Sequence, residues 1–215
     1  MKRVAFILIL IGLGLIGWNG FQFWQQSTTS IKNPSFAKSI DKNWDQTIKK
    51  PTLPFTETEL VKAARELTPN YEEGQKVGEF IIPKLGTVYP LFWGTSANTL
   101  KQGIGMYDTT FTSAPVENRH TAIAGHRDTT FRNLDQLSEG DRLYVTMDQI
   151  KYAYQIRKTW VTDAKDRSVL VEKEKPTLTL TTCYPFDYIG QAPDRYIVQA
   201  ELIEKEKINK PPFKL

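Results

Sequence analysis

Two kinds of hydrophobic patterning divide the chain. Residues 4–18 run without a charge or an Asn or Gln side chain, and the apolar character continues through Phe21, Phe23 and Trp24. As a helix, residues 4–24 span roughly 30 Å at ~1.5 Å per residue, about the hydrocarbon core of a bilayer. From residue 77 onward the pattern changes to short β-branched and aromatic runs: VGEFIIP, TVYPLFW, HTAIAGH, DRLYVTM, KYAYQIRKTWV, TLTLTTC and RYIVQAEL. Alternation in KYAYQIRKTWV and TLTLTTC fits strands with one buried and one wet face. PKLG, SEGD and YIGQAPD supply turns, and residues 96–101 and 132–136 read as brief helical insertions. The pattern predicts an all-β barrel or sandwich.

Between these regimes the chain is polar. Residues 25–54 are rich in Ser, Thr, Asn, Lys and Pro and read as a mobile stalk. TETELVKAAREL follows, with Thr56 and Glu59 at capping-box spacing and Leu60, Ala63, Ala64 and Leu67 at helical intervals. The expected organisation is a transmembrane anchor at 1–24, a stalk at 25–74 with a short amphipathic helix near 57–67, and a β-domain at 75–215. At roughly 140 residues, that domain is large enough for a core of its own.

Lys2 and Arg3 precede the apolar run, which predicts a cytoplasmic N-terminus and an exported body. A cleaved signal peptide and a buried core helix are the competing readings. Against cleavage, no small-x-small site follows the run, where Trp18, Asn19 and aromatic residues stand. Charge adds little. Lys and Arg number 28 against 24 Asp and Glu, a formal net of +4, and the basic residues are scattered. Nucleic acid is therefore not an indicated partner.

Export changes the meaning of the chain's one cysteine, Cys183. It has no internal disulfide partner in a compartment where disulfides are permitted, so the free thiol needs a reason. Cys183 ends the run TLTLTTC, His126 ends HTAIAGH, and Arg195 opens RYIVQAEL. If those strands are neighbours, a nucleophile, a base and a cation meet at one end of the sheet. Taken singly, each has a plainer reading: a buried inert thiol, a hydrogen-bonded structural histidine, an arginine paired with Asp187 or Asp194. Zinc is poorly served, since one Cys and two His, His120 and His126, lack short ligand spacings. There is no Gly-rich phosphate loop, no G-x-S-x-G elbow and no EF-hand spacing.

These segments resemble the sortases, membrane-anchored cysteine transpeptidases of Gram-positive bacteria. TLTTC at 179–183 matches their TLxTC motif, and AGHRDTTF at 124–131 looks like their catalytic-histidine segment. TTCYPFDYIGQAPDRYIV is similar to the Cys-to-Arg segment of class D members, and the likeness covers residues 77–202. The resemblance implies a closed sortase-type β-barrel of about eight strands with short helices. It implies Cys183 as nucleophile, His126 as general acid/base and Arg195 as oxyanion or substrate stabiliser. Ala124, Val169, Leu170 and Thr181 would line a groove for the Leu-Pro part of an LPxT-type signal. Partners would be secreted proteins carrying that signal and an amine of the cell wall. No cofactor is implied, and calcium stimulation stays open. One departure is Gly105-Met106-Tyr107, where many relatives carry Gly-His-Tyr.

Two alternatives stand beside this reading. One is another cell-wall thiol acyltransferase such as an L,D-transpeptidase, whose Ser-x-Gly-Cys-x-Arg-like context differs from Thr182-Cys183-Tyr184. The other is a noncatalytic tethered β-domain, an adhesin or assembly module.

Overall fold

The computed structural model describes residues 2–27, 31–45, 70–187, 190 and 192–208. Helix α1 (Lys2–Ser27) is apolar along its length, and by length and composition it can cross a membrane. Its large side chains, from Val4 to Trp24, are exposed.

Eight strands form the body: β2 (Lys76–Ile82), β3 (Thr87–Trp93), β4 (Ile104–Met106), β5 (His120–Ala124), β6 (Arg142–Met147), β7 (Ile150–Asp163), β8 (Thr177–Tyr184) and β9 (Asp194–Lys207). Their order is β3-β2-β6-β7-β9-β8-β5-β4, and β4 returns to pair with β3. The sheet is a closed barrel, the class expected from the pattern, and closure leaves no long bare edge. Most pairs are antiparallel; β3–β4 and β5–β8 are parallel. The β3–β4 crossover carries helix α3 (Ala97–Gln102), capped by the Ser96 hydroxyl, which accepts from Thr99 N–H at 3.2 Å. The second expected helical insertion shrinks to one 3-10 turn, Leu134–Gln136.

The interior is filled by side chains. Phe80, Leu91, Ile104, Met106, Ile123, Leu143, Tyr154, Leu178, Leu180 and Val198 are all buried and belong to one core cluster. Phe131, also buried, meets Tyr89 edge-on with ring centroids 5.7 Å apart and closes the core beneath the β5–β6 connection.

The structure differs from the expected stalk over residues 31–45, which lie on the barrel's outer surface. A two-residue strand β1 (Ile31–Lys32) pairs with Val88 and Thr87 of β3, the part of that edge that β4 does not cover. Helix α2 (Pro34–Ser39) follows, with the Asn33 side chain accepting from Phe36 N–H at 3.1 Å. Ala37 is buried, and Phe36 and Ile40 pack beside it on Ile81, Val88, Tyr144, Ala153 and Ile203. Asp41 then accepts from Arg142 at 2.5 Å and from Tyr144 at 2.7 Å. A few apolar side chains with one buried ion pair are enough to dock a segment that is otherwise polar in composition. The amphipathic helix expected near 57–67 lies outside the described residues.

Candidate active site

Register builds the site. Near the end of β8, Cys183 stands opposite Arg195 of β9, and Arg195 stands opposite Thr162 of β7 on its other side. Directly opposed residues of antiparallel strands share a face, with Cβ atoms about 5 Å apart. Cys183, Arg195 and Thr162 therefore form one row across three strands, with the guanidinium-bearing residue in the middle.

His126 reaches the row from the third side. β5 runs parallel to β8 with Ala124 opposite Thr181, and Gly125 N–H donates to the Thr181 carbonyl at 3.3 Å. The Thr182 hydroxyl donates to the Gly125 carbonyl at 2.8 Å. These bonds hold the residue before His126 against the residue before Cys183. Glycine is required at 125, because a Cβ there would lie 2.7 Å from the buried Phe131 ring. Beyond it, Phe131 N–H donates to the His126 carbonyl at 2.8 Å and closes the turn. His126, Cys183 and Arg195 together line a cleft of about 360 Å³, along with Asp128, Gly190 and Ala192. The strand ends do bring the three together.

Electrostatics set the resting state of the base. Burial lowers the His126 pKa, and the Asp128 carboxylate offsets part of that shift, so the imidazole is neutral at neutral pH. A neutral ring can accept a thiol proton. Cys183 is half-buried and unoxidised, open enough for a substrate carbonyl to reach it. Arg195 donates from Nη1 to the backbone carbonyls of Asp194 at 2.9 Å and Ala192 at 3.4 Å. It does not form the surface ion pair considered from sequence: among the described residues, no carboxylate lies within ion-pair distance of it. Those two bonds fix one side of the planar fork and leave its other donors to serve the cleft.

A groove leads away from this cleft, with Arg195 lining both. Val169, Leu170 and Thr181 line it together with Tyr107, Thr162 and Ile197. Ala124 does not. It sits within the sheet, paired between Gly105 of β4 and Thr181 of β8. Met106, the unusual residue after Gly105, is wholly buried in the core, and its neighbour Tyr107 is the one that reaches the groove. The Tyr107 hydroxyl lies 3.2 Å from Thr181 Oγ1.

Three contributors escaped sequence reasoning. Tyr107 follows a three-residue strand and enters the sequence reading only as the last residue of Gly105-Met106-Tyr107, with no role attached. Asp128 is a carboxylate two residues after the histidine, a spacing that equally describes a solvated turn. Arg127 is buried, and it donates to the carbonyls of Pro185 at 3.1 Å and Gly190 at 2.9 Å, bracing the segment between Cys183 and Arg195. The Tyr184, Phe186 and Tyr196 rings brace it further, with centroids 5.3–6.2 Å apart. No group of three or more His, Cys, Asp or Glu placed to hold a metal occurs among the described residues.

Comparison with known proteins locates this arrangement. The sortase-domain family model matches residues 80–203. The chain is 33% identical to sortase D of Bacillus subtilis over 203 residues, covering 94% of this chain and 98% of that one. Among solved structures, the catalytic domain of Bacillus anthracis sortase D superposes with a TM-score of 0.57 at 48% identity, over 66% of this chain and 96% of that one. A Clostridium perfringens sortase D5 transpeptidase superposes with a TM-score of 0.55 at 29% identity, over 79% of this chain and 99% of that one.

Proposed function

The chain belongs to the sortase family, and on that premise we propose that it is a cysteine transpeptidase that cleaves an LPxT-type sorting signal after threonine and passes the acyl group to a cell-wall amine. The observation that carries this reading is the row Cys183–Arg195–Thr162 with His126 beside it, because one cation lines both the reactive cleft and the groove that holds Val169 and Leu170. A peptide whose Leu-Pro rests on Val169 and Leu170 then presents its threonine carbonyl to the sulfur.

Chemistry follows from these positions. As Cys183 attacks the threonine carbonyl, its thiol proton moves to neutral His126. The carbonyl oxygen gains negative charge beside the fixed Arg195 guanidinium, a preorganised donor. Collapse breaks the carbon–nitrogen bond; the imidazolium returns its proton to the departing amine and a thioester remains. The incoming amine then attacks that thioester, His126 takes the amine's proton, and the sulfur leaves to be reprotonated. An amide is broken and an amide is made, so no oxidant, reductant or nucleotide is consumed.

Helix α1 is a candidate membrane anchor. With Lys2 and Arg3 on the cytoplasmic side, the barrel would face the compartment where exported proteins and wall precursors meet. A different cell-wall acyltransferase such as an L,D-transpeptidase is set aside by the family, and the convergence of nucleophile, base and cation favours an enzyme over a noncatalytic module.

The test is transfer itself. The full chain in detergent is incubated with a panel of LPxT-type peptides and an oligoglycine or wall-fragment amine, and products are weighed. We expect peptide joined to amine with the wild type and none with Cys183→Ala. No product from any peptide, or product from Cys183→Ala, overturns the reading.

A further inference from the structure

The chain's second histidine has a place in the same machinery. His120 opens β5 and is 0% exposed. Its Nδ1 lies 2.7 Å from the Val171 carbonyl oxygen and its Nε2 2.8 Å from Thr179 Oγ1. A carbonyl only accepts, so the ring proton is on Nδ1, and Nε2 accepts from the Thr179 hydroxyl. The Val171 carbonyl thus fixes the histidine tautomer, the first threonine of the TLTTC string donates to the other ring nitrogen, and the histidine holds a loop. Burial pushes the ring's pKa down to about 4, so it stays neutral while it does so.

That loop joins β7 to β8 and carries Val169 and Leu170. It is anchored at two points. At its start, Asp166 accepts from the Thr162 hydroxyl at 2.5 Å and from Ser168 N–H at 2.8 Å. At the far side, the Val171 carbonyl receives the His120 proton. Val169, 5% exposed, and half-buried Leu170 lie between the two anchors. The neighbouring Arg119–Glu172 pair, 3.4 Å apart with Glu172 70% exposed, adds little, since exposed ion pairs are screened and mobile. The bond from the wholly buried His120 ring is the one that fixes the loop's depth.

We propose that His120 is a positioning residue for the sorting signal: by holding the Val171 carbonyl, it sets Val169 and Leu170 at the depth that receives the signal's Leu-Pro. The proposal rests on the substrate reading above. It separates His120 from His126, which handles protons at the reacting centre, and it gives Thr179 a role as the donor that seats the ring's Nε2.

Two substitutions split the ring's functions. In His120→Asn the amide nitrogen stands near the place of Nδ1 and can still donate to Val171. In His120→Gln the amide reaches toward Thr179 and the Val171 donor is lost. The full chain in detergent is assayed with an LPxT-type pentapeptide, with iodoacetamide alkylation of Cys183 and hydrogen exchange measured alongside. His120→Gln should raise KM roughly five- to thirty-fold, the loss of about one buried hydrogen bond, while kcat changes little. Exchange should quicken at residues 168–173 and stay slow in the strands, alkylation should keep its rate, and His120→Asn should restore KM. Thr179→Val, which preserves shape, should move KM the same way by less, and it stands in if His120→Gln does not fold. A wild-type KM in both His120→Gln and Thr179→Val, or KM and kcat failing together with rapid exchange throughout the barrel, overturns the role of His120. A wild-type chain that cleaves no signal peptide instead overturns the substrate reading on which it rests.

Discussion

Protonation of His126 links single side chains to rate. Burial holds its pKa below the ordinary 6.5, and Asp128 pulls the other way. The acid limb of the kcat/KM profile should therefore have its midpoint below pH 6.5. Asp128→Asn, by removing the opposing charge, should move that midpoint further toward acid; an unchanged or raised midpoint would show that another group titrates there. Arg195→Lys keeps the charge but loses the planar fork, and the rate should fall roughly 10²–10³-fold, the range for a lost oxyanion donor. Peptide turnover at the wild-type rate would remove Arg195 from that role. His120 bears on stability. Unfolded, it takes up a proton near pH 6.5; folded, not until about pH 4. Its neutral form therefore supports the fold fully above pH 6.5, and that contribution, on the order of 3 kcal/mol, is lost as pH falls toward 4. Urea midpoints at pH 7 and 4.5 should draw closer together in His120→Asn than in wild type.

At the scale of elements, the site is made by the ends of β5, β8 and β9, and Gly125 sets how closely they meet. Gly125→Ala forces a methyl against a ring that has no room to move, and should cost about 1–3 kcal/mol along with part of the rate. A variant with wild-type unfolding midpoint and rate would mean the β5 turn relaxes freely. The strands were legible in the sequence because alternation and β-branched residues mark a half-buried surface, and the strand ends at His126, Cys183 and Arg195 fell where those patterns broke. Their alignment in one row was not legible. Register depends on partners far along the chain, and only the likeness of TLTTC and AGHRD to a known family tied them together. Ala124 shows the same limit: a small residue beside a motif histidine reads as groove lining, yet it is paired within the sheet between β4 and β8 and does not line the groove.

For the whole molecule, the question is how a candidate membrane helix carries a barrel. Three residues, 28–30, separate α1 from β1, a reach of no more than roughly 10–15 Å even when extended. The docked segment 31–45 therefore keeps the barrel close to the end of the helix. Its polar composition read as stalk because three apolar residues, Phe36, Ala37 and Ile40, give too faint a period. The buried Asp41–Arg142 contact is visible only in three dimensions. Burial pushes the Asp41 carboxyl up, but hydrogen bonds from Tyr144, the Asn43 N–H and Arg142, with the Arg142 charge, outweigh that and leave it below the usual range. Asp41→Ala strands a nearly buried guanidinium and should cost about 2–3 kcal/mol in urea unfolding, with the transfer rate of the folded enzyme unchanged. A loss of rate without loss of stability would place the segment in the catalytic body.

The most direct measurement is the intact mass of the full chain after mixing with an LPxT-type peptide and no acceptor amine. The account predicts a thioester adduct equal to the peptide up to its threonine, mapped to Cys183 and discharged when an amine is added. It predicts none in Cys183→Ala and slow formation in Arg195→Lys. An adduct on another residue, or peptide cleavage that continues with Cys183 absent, would contradict it.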